Sequence, residues 1–145
     1  MPIQNLEQKR AFNALDKAPD CRKRKDDGDC LSGFPSLIVN NGLLACLAYS
    51  IEKSADKKTG VIDLKKQWIN ISNAIAFHLR QMGIVQLAGG QTEAEALRDY
   101  LAGRSRDAQN QFVIVDSFTL RRCTDEALAF LSYLKRFAKS AAATP

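Results

Sequence analysis

Histidine occurs once in this 145-residue chain, at His78. A general base needs an acid or nucleophile beside it, and a zinc site needs ligands at short paired spacing; the sequence offers His78 neither. The four cysteines, Cys21, Cys30, Cys46 and Cys123, form no C-x-x-C pair, which excludes the common metal-ligand and dithiol patterns. No catalytic residue, metal or cofactor is therefore assigned. The opening MPIQNLEQKR has no apolar run of signal-peptide type, so the expected location is cytoplasmic.

One absence is local. From Leu31 to Ile51 the chain carries no charge over 21 residues. That length would permit a membrane span, but Ser36, Asn40, Asn41, Gly42 and Ser50 would then lie in hydrocarbon. A helix over about Phe34 to Lys53, apolar on nearly every face and buried all round, is the expectation. Pro35 falls in its first turn, where its missing N–H costs nothing. Gly42 in mid-helix costs about 1 kcal/mol against Ala, and close approach of a neighbouring helix is the expected return. Asn40 and Asn41 read either as satisfied polar contacts or as part of a ligand site.

What is present is a hydrophobic fraction of 46% and a charged fraction of 26%, which fit one globular domain able to bury its own core. The net charge of +5 suits a polyanionic partner, or simply a basic surface. Asn5 and Gln8 form a capping-box pattern ahead of a helix to Lys17, with Ala11, Phe12 and Leu15 as its apolar stripe. DCRKRKDDGDC reads as an exposed loop, spanning about residues 18–33. Its Arg22–Lys25 run is able to touch phosphate, although three aspartates follow it. Val61, Leu64, Trp68, Ile71, Ile75, Leu79 and Met82 predict a second amphipathic helix, with Trp68 in the core and His78 one position off the stripe. Thr92 and Glu95 make a capping box, and Gly103 ends that helix. QFVIV, residues 111–115, reads as a short helix or an extended packing segment, since a lone strand has nothing to pair with.

From Ser117 to about Ala142 the apolar positions Leu120, Cys123, Ala127, Phe130, Leu131, Leu134, Phe137 and Ala138 keep a three-four spacing. Cys46 and Cys123 lie on such stripes and read as small buried hydrophobes. Arg121, Arg122, Lys135, Arg136 and Lys139 fall off the stripe and give the last helix a basic side. Residues 14 apart return to nearly the same side, so Arg121 matches Lys135 and Arg122 matches Arg136. Phosphate binding and a solvated face both explain them, and the last cations also complement the helix dipole.

GFPSLIVNNGLLACLAYSIEK, with Pro35, Ile38, Asn41-Gly42-Leu43 and Ala48, resembles a pattern in the small subunit of the type III-B (Cmr) CRISPR effector complex. LRRCTDEALAFLSYLKRFAKS is similar to that family's C-terminal signature through Arg121-Arg122, Thr124, Glu126-Ala127-Leu128 and Leu134-Lys135-Arg136-Phe137-Ala138. Lys9-Arg10-Ala11 agrees more weakly. Tyr133 stands where the family often carries Trp, and Leu120-Arg121 where it often has Tyr-Arg. The resemblance implies a compact all-α bundle, here of about five to six helices in one domain over residues 1–145, with a frayed tail at about 141–145. It implies a non-catalytic structural and RNA-binding role in antiviral defence, with copies of itself stacked along the complex. Its partners would be the other Cmr subunits and the guide–target RNA, with no membrane contact. The RNA-binding candidates are Lys9, Arg10, Arg121, Arg122, Lys135, Arg136 and Lys139. One rival is a helical protein–protein adaptor whose basic face meets an acidic protein. The other is a thiol enzyme using Cys21 or Cys30, activated by the Arg22–Lys25 charges.

Overall fold

The computed structural model describes residues 5–22, 30–87, 89 and 91–142. Six α-helices follow one another: α1 (Leu6–Lys17), α2 (Cys30–Asn41), α3 (Leu43–Ser54), α4 (Gln67–Gln81), α5 (Glu93–Leu101) and α6 (Ser117–Ala142). A 3-10 turn, Ala18–Cys21, continues α1. No strand occurs among the described residues, only two isolated antiparallel bridges, Ala55 with Ile62 and Arg106 with Phe112. The architecture is the all-α bundle that the resemblance implies, with helices at the segments whose apolar periodicity predicts them.

The long helix α6 is the beam of the bundle, packing on α1, α2, α4 and the 3-10 turn, while α3, α4 and α5 pack on one another. One buried apolar cluster draws on every helix, through Ala14, Phe34, Leu47, Ile75, Leu97 and Phe130. Trp68 joins α2, α3 and α4, with its ring 5.4 Å from Phe34 and edge-on to Tyr49 at 5.3 Å. It is a packing residue, as expected. Both capping boxes form, Asn5 with Gln8 and Thr92 with Glu95. Asn73 reinforces the second by accepting the Ala94 N–H at 2.8 Å. Gly103 follows the end of α5 in the left-handed region, at φ +75°.

Several sequence expectations are corrected. The charge-free segment is two helices, because Gly42 has φ +88° and nothing stands within 4 Å of a Cβ built there. Gly42 is present for its backbone angle and not for a close helix approach. Each half buries one side only: Val39 is 69% exposed, and Asn40 and Asn41 face solvent. Because α2 starts at Cys30, Pro35 lies inside the helix, where its missing N–H leaves the Leu31 carbonyl without its helical donor. No described helix is long and apolar enough to cross a membrane.

The loop expected over 18–33 is narrower. Ala18–Cys21 is a 3-10 turn and Cys30–Gly33 is helical, with Cys21 and Cys30 buried in the core; the Lys23–Lys25 part of the basic run lies outside the described residues. Ala141 and Ala142 are still helical, and the rest of the expected tail is not described. Helix α1 buries Asn13 and Ala14, leaving Phe12 and Leu15 exposed. Helix α4 begins at Gln67, so Val61 and Leu64 precede it and are exposed. Residues 111–115 are extended and do find a partner, since Phe112 bridges Arg106; Ile114 nevertheless stands 91% exposed.

Candidate nucleic-acid interface

Helix α6 has 26 residues and is roughly 39 Å long at 1.5 Å per residue. Cys123, Ala127, Phe130, Leu131, Leu134 and Ala138 are buried along one side. Leu120, expected among them, is partly exposed at the edge. With the apolar stripe fixed inward, the other side must meet water. Arg121, Arg122, Lys135, Arg136 and Lys139 are all exposed there. None of the five has an ion-pair or hydrogen-bond partner among the described residues. They form two groups, Arg121–Arg122 and Lys135–Arg136–Lys139, roughly 20 Å apart along the axis.

Arg10 behaves differently. Its Nε and Nη2 donate to the two oxygens of Glu126 at 2.7 and 2.9 Å. This fork-to-carboxylate pair ties α1 to α6. Glu126 Oε2 also accepts from His78 Nε2 at 2.9 Å. On the far side of the ring, His78 Nδ1 accepts from Asn13 Nδ2 at 2.9 Å. The imidazole is fully buried and stacks on Phe130, with centroids 4.4 Å apart and planes 10° apart. Burial pushes the His78 pKa down and outweighs the upward pull of Glu126. The ring is therefore neutral, and its partners assign the Nε2–H tautomer. Burial raises the Glu126 pKa, but the bonds from Arg10 and His78 more than reverse this and hold the carboxyl below the usual range. The four residues Asn13, His78, Glu126 and Arg10 thus brace α1, α4 and α6 through a closed set of hydrogen bonds.

Every donor and acceptor on His78 is committed to this brace, so the ring holds no free nitrogen for a substrate. Two of the thiols are equally unsuited to chemistry. Burial raises the Cys21 pKa to about 12 and that of Cys46 to about 12. Among the described residues no group of three or more His, Cys, Asp or Glu side chains is arranged to hold a metal ion.

The structure brings Arg10, Arg121 and Arg122 to one cleft of about 340 Å³, with Phe118, Asp125 and Glu126 as its other lining. Lys9 stands apart, in a smaller hollow with Phe12, Asn13, Gln81 and Met82. Sequence reasoning missed Glu126 and Asn13 as partners for His78, and it missed Phe118. A signal existed for the first: Glu126 and His78 each sit beside a buried apolar stripe, where an ionisable group needs a partner. Nothing in the sequence pairs residues 116 positions apart, as Arg10 and Glu126 are.

The described residues thus form an all-helical bundle whose longest helix turns one basic side outward. The family model described as CRISPR-associated protein (Cas_Cmr5) matches residues 6–141. The chain belongs to this family, the small subunit of type III-B Cmr complexes. No solved structure matches the chain.

Proposed function

We propose that this chain is a non-catalytic structural and RNA-binding subunit, which lines the target-RNA channel of its complex with the outer side of α6. The observation that carries this reading is the set of five unpaired, exposed cations on one helix side. A positive surface tracking a phosphate backbone is all the chemistry such a role needs, because base pairing with the guide supplies sequence specificity. Arg10 leaves the set of RNA contacts, since Glu126 already takes its guanidinium. Lys9 lines a different hollow from Arg121 and Arg122 and is left out of the α6 row. The adaptor alternative would use the same five cations, and the salt dependence of RNA binding separates the two.

Stacking of copies is part of the same reading, and it is supported by two unlike apolar patches. Val61 and Leu64, exposed by 66% and 59%, precede the start of α4. Phe112 and Ile114 belong to the segment that packs near Gly83–Leu87, just past its end. Unlike patches at opposite ends of one helix suit head-to-tail contacts, which extend into rows instead of closing as dimers.

The test is the double reversal Arg122→Glu and Arg136→Glu in the assembled complex. The helical circular-dichroism spectrum should be unchanged. Target-RNA affinity should fall, and the slope of log affinity against log salt should flatten by about 0.7 per lost phosphate contact. Wild-type affinity and slope would move the RNA path off α6.

A further inference from the structure

We propose that Phe118 is a stacking platform for an unpaired RNA base, with Arg121 and Arg122 holding the adjoining phosphates. The inference rests on the RNA-channel reading above and adds to it a specific nucleotide site. Phe118 lies in the first turn of α6 and is 74% exposed. It makes no ring or cation contact among the described residues. Nothing in the bundle uses this side chain, although burying a Phe would stabilise the fold by about 1.5–3 kcal/mol.

Its surroundings indicate what does use it. Arg121 and Arg122 follow at three and four residues, so both lie on the same side of the helix as the ring. All three line the cleft of about 340 Å³, a size within the ~300–1,000 Å³ range of small-molecule sites. Glu126 at its edge has its charge offset by Arg10, which leaves Asp125 as the one uncompensated carboxylate against Arg121 and Arg122. An exposed aromatic ring among net positive charge matches single-stranded nucleic acid, with a base on the ring and phosphate on the guanidinium groups. Phe and Arg together also occur at protein interfaces, so incorporation of the subunit into the complex is a separate readout of the test.

The experiment uses the reconstituted complex carrying Phe118→Leu or Phe118→Tyr, with the target RNA and a series of the same RNA bearing single abasic positions as probes. Phe118→Leu keeps the apolar bulk and removes the π face; it should lower target affinity roughly ten-fold, the size of one base–aromatic stack. Phe118→Tyr should retain wild-type affinity. In the wild type one abasic position should be costly, and Phe118→Leu should abolish that sensitivity. If Phe118→Leu binds as wild type while the Arg122→Glu, Arg136→Glu protein is weakened, the platform is refuted and the channel reading stands. If neither change alters capture, both fail. If Phe118→Leu instead lowers incorporation of the subunit into the complex, the ring is a protein contact and the proposal is overturned.

Discussion

Replacing Glu126 by Ala should be among the most damaging single changes to this fold. The substitution removes one carboxylate that accepts two bonds from Arg10 and one from His78. It leaves a fully buried imidazole N–H without an acceptor and a guanidinium, with side chain 20% exposed, without its counter-charge. Breaking a buried ion pair on one side costs about 3–5 kcal/mol. Arg10 keeps part of its surface in water, so we take the lower end, about 3 kcal/mol. At about 2–4 °C per kcal/mol for a domain of this size, that lowers the melting temperature by roughly 10 °C. Glu126→Gln keeps the shape and an acceptor for His78 and should cost about half as much. Urea unfolding followed by circular dichroism measures both. A double-mutant cycle with Arg10→Ala should give a coupling of about 1 kcal/mol or more. Stability within 0.5 kcal/mol of wild type, or strict additivity in the cycle, would refute the account of the brace.

The same network sets the response to acid. His78 has its folded pKa below the ordinary 6.5, so below that pH the unfolded chain takes up a proton that the folded protein resists. Glu126 also has a lowered folded pKa, from an ordinary 4.5, so its contribution is present above 4.5 and is lost as pH falls through the folded value. Both groups make the unfolded state bind more protons in their windows, and stability therefore declines on acidification in two stages. An unfolding free energy that stayed flat between pH 7 and pH 5 would exclude a neutral, buried His78.

Two further outcomes follow from local geometry. Gly42→Ala should destabilise by about 1–3 kcal/mol, because φ +88° with ψ 159° is a combination essentially confined to glycine; a urea midpoint equal to wild type would show that the α2–α3 break tolerates a side chain. Cys21, with its thiol pushed up to about 12, should react with iodoacetamide at neutral pH far more slowly in the folded protein than in urea, and a fast native reaction would revive the thiol-enzyme reading.

The helices were legible wherever burial follows a period. The α6 stripe from Cys123 to Ala138 and the Ile71–Ile75–Leu79 run of α4 are buried as their spacing predicts. Local hydrogen-bond codes were legible as well, which is why both capping boxes form. Failures came where contacts between helices, which a periodicity does not show, decide what faces inward. Phe12 and Leu15 look like the inner side of α1, yet the inner side is set by the bond from Asn13 to His78. Gly42 was visible as a weakness in a helix, but its φ of +88° is decided by how α2 and α3 pack on α6 and α4. The candidate interface was half legible. Exposure of the α6 cations follows from the stripe beside them, whereas commitment of Arg10 to Glu126 depends on α1 lying against α6.

That commitment bears on the interface itself. Arg122 and Glu126 are four residues apart on α6, the spacing at which opposite charges pair on a helix surface. If Glu126 were free, it would compete with phosphate for Arg122. Arg10 and His78 occupy its oxygens instead, and Arg122 is left without a partner among the described residues. On the reading proposed above, Arg10 serves RNA capture without touching RNA, by keeping Glu126 away from Arg122. The Glu126→Ala variant then separates stability from capture. Well below its lowered melting temperature, with the subunit folded and incorporated, it should bind target RNA at least as tightly as wild type, because a negative charge has left the cleft. Weaker binding under those conditions would mean that Glu126 orients Arg122 for phosphate, and the brace would then belong to the binding surface and not only to the core.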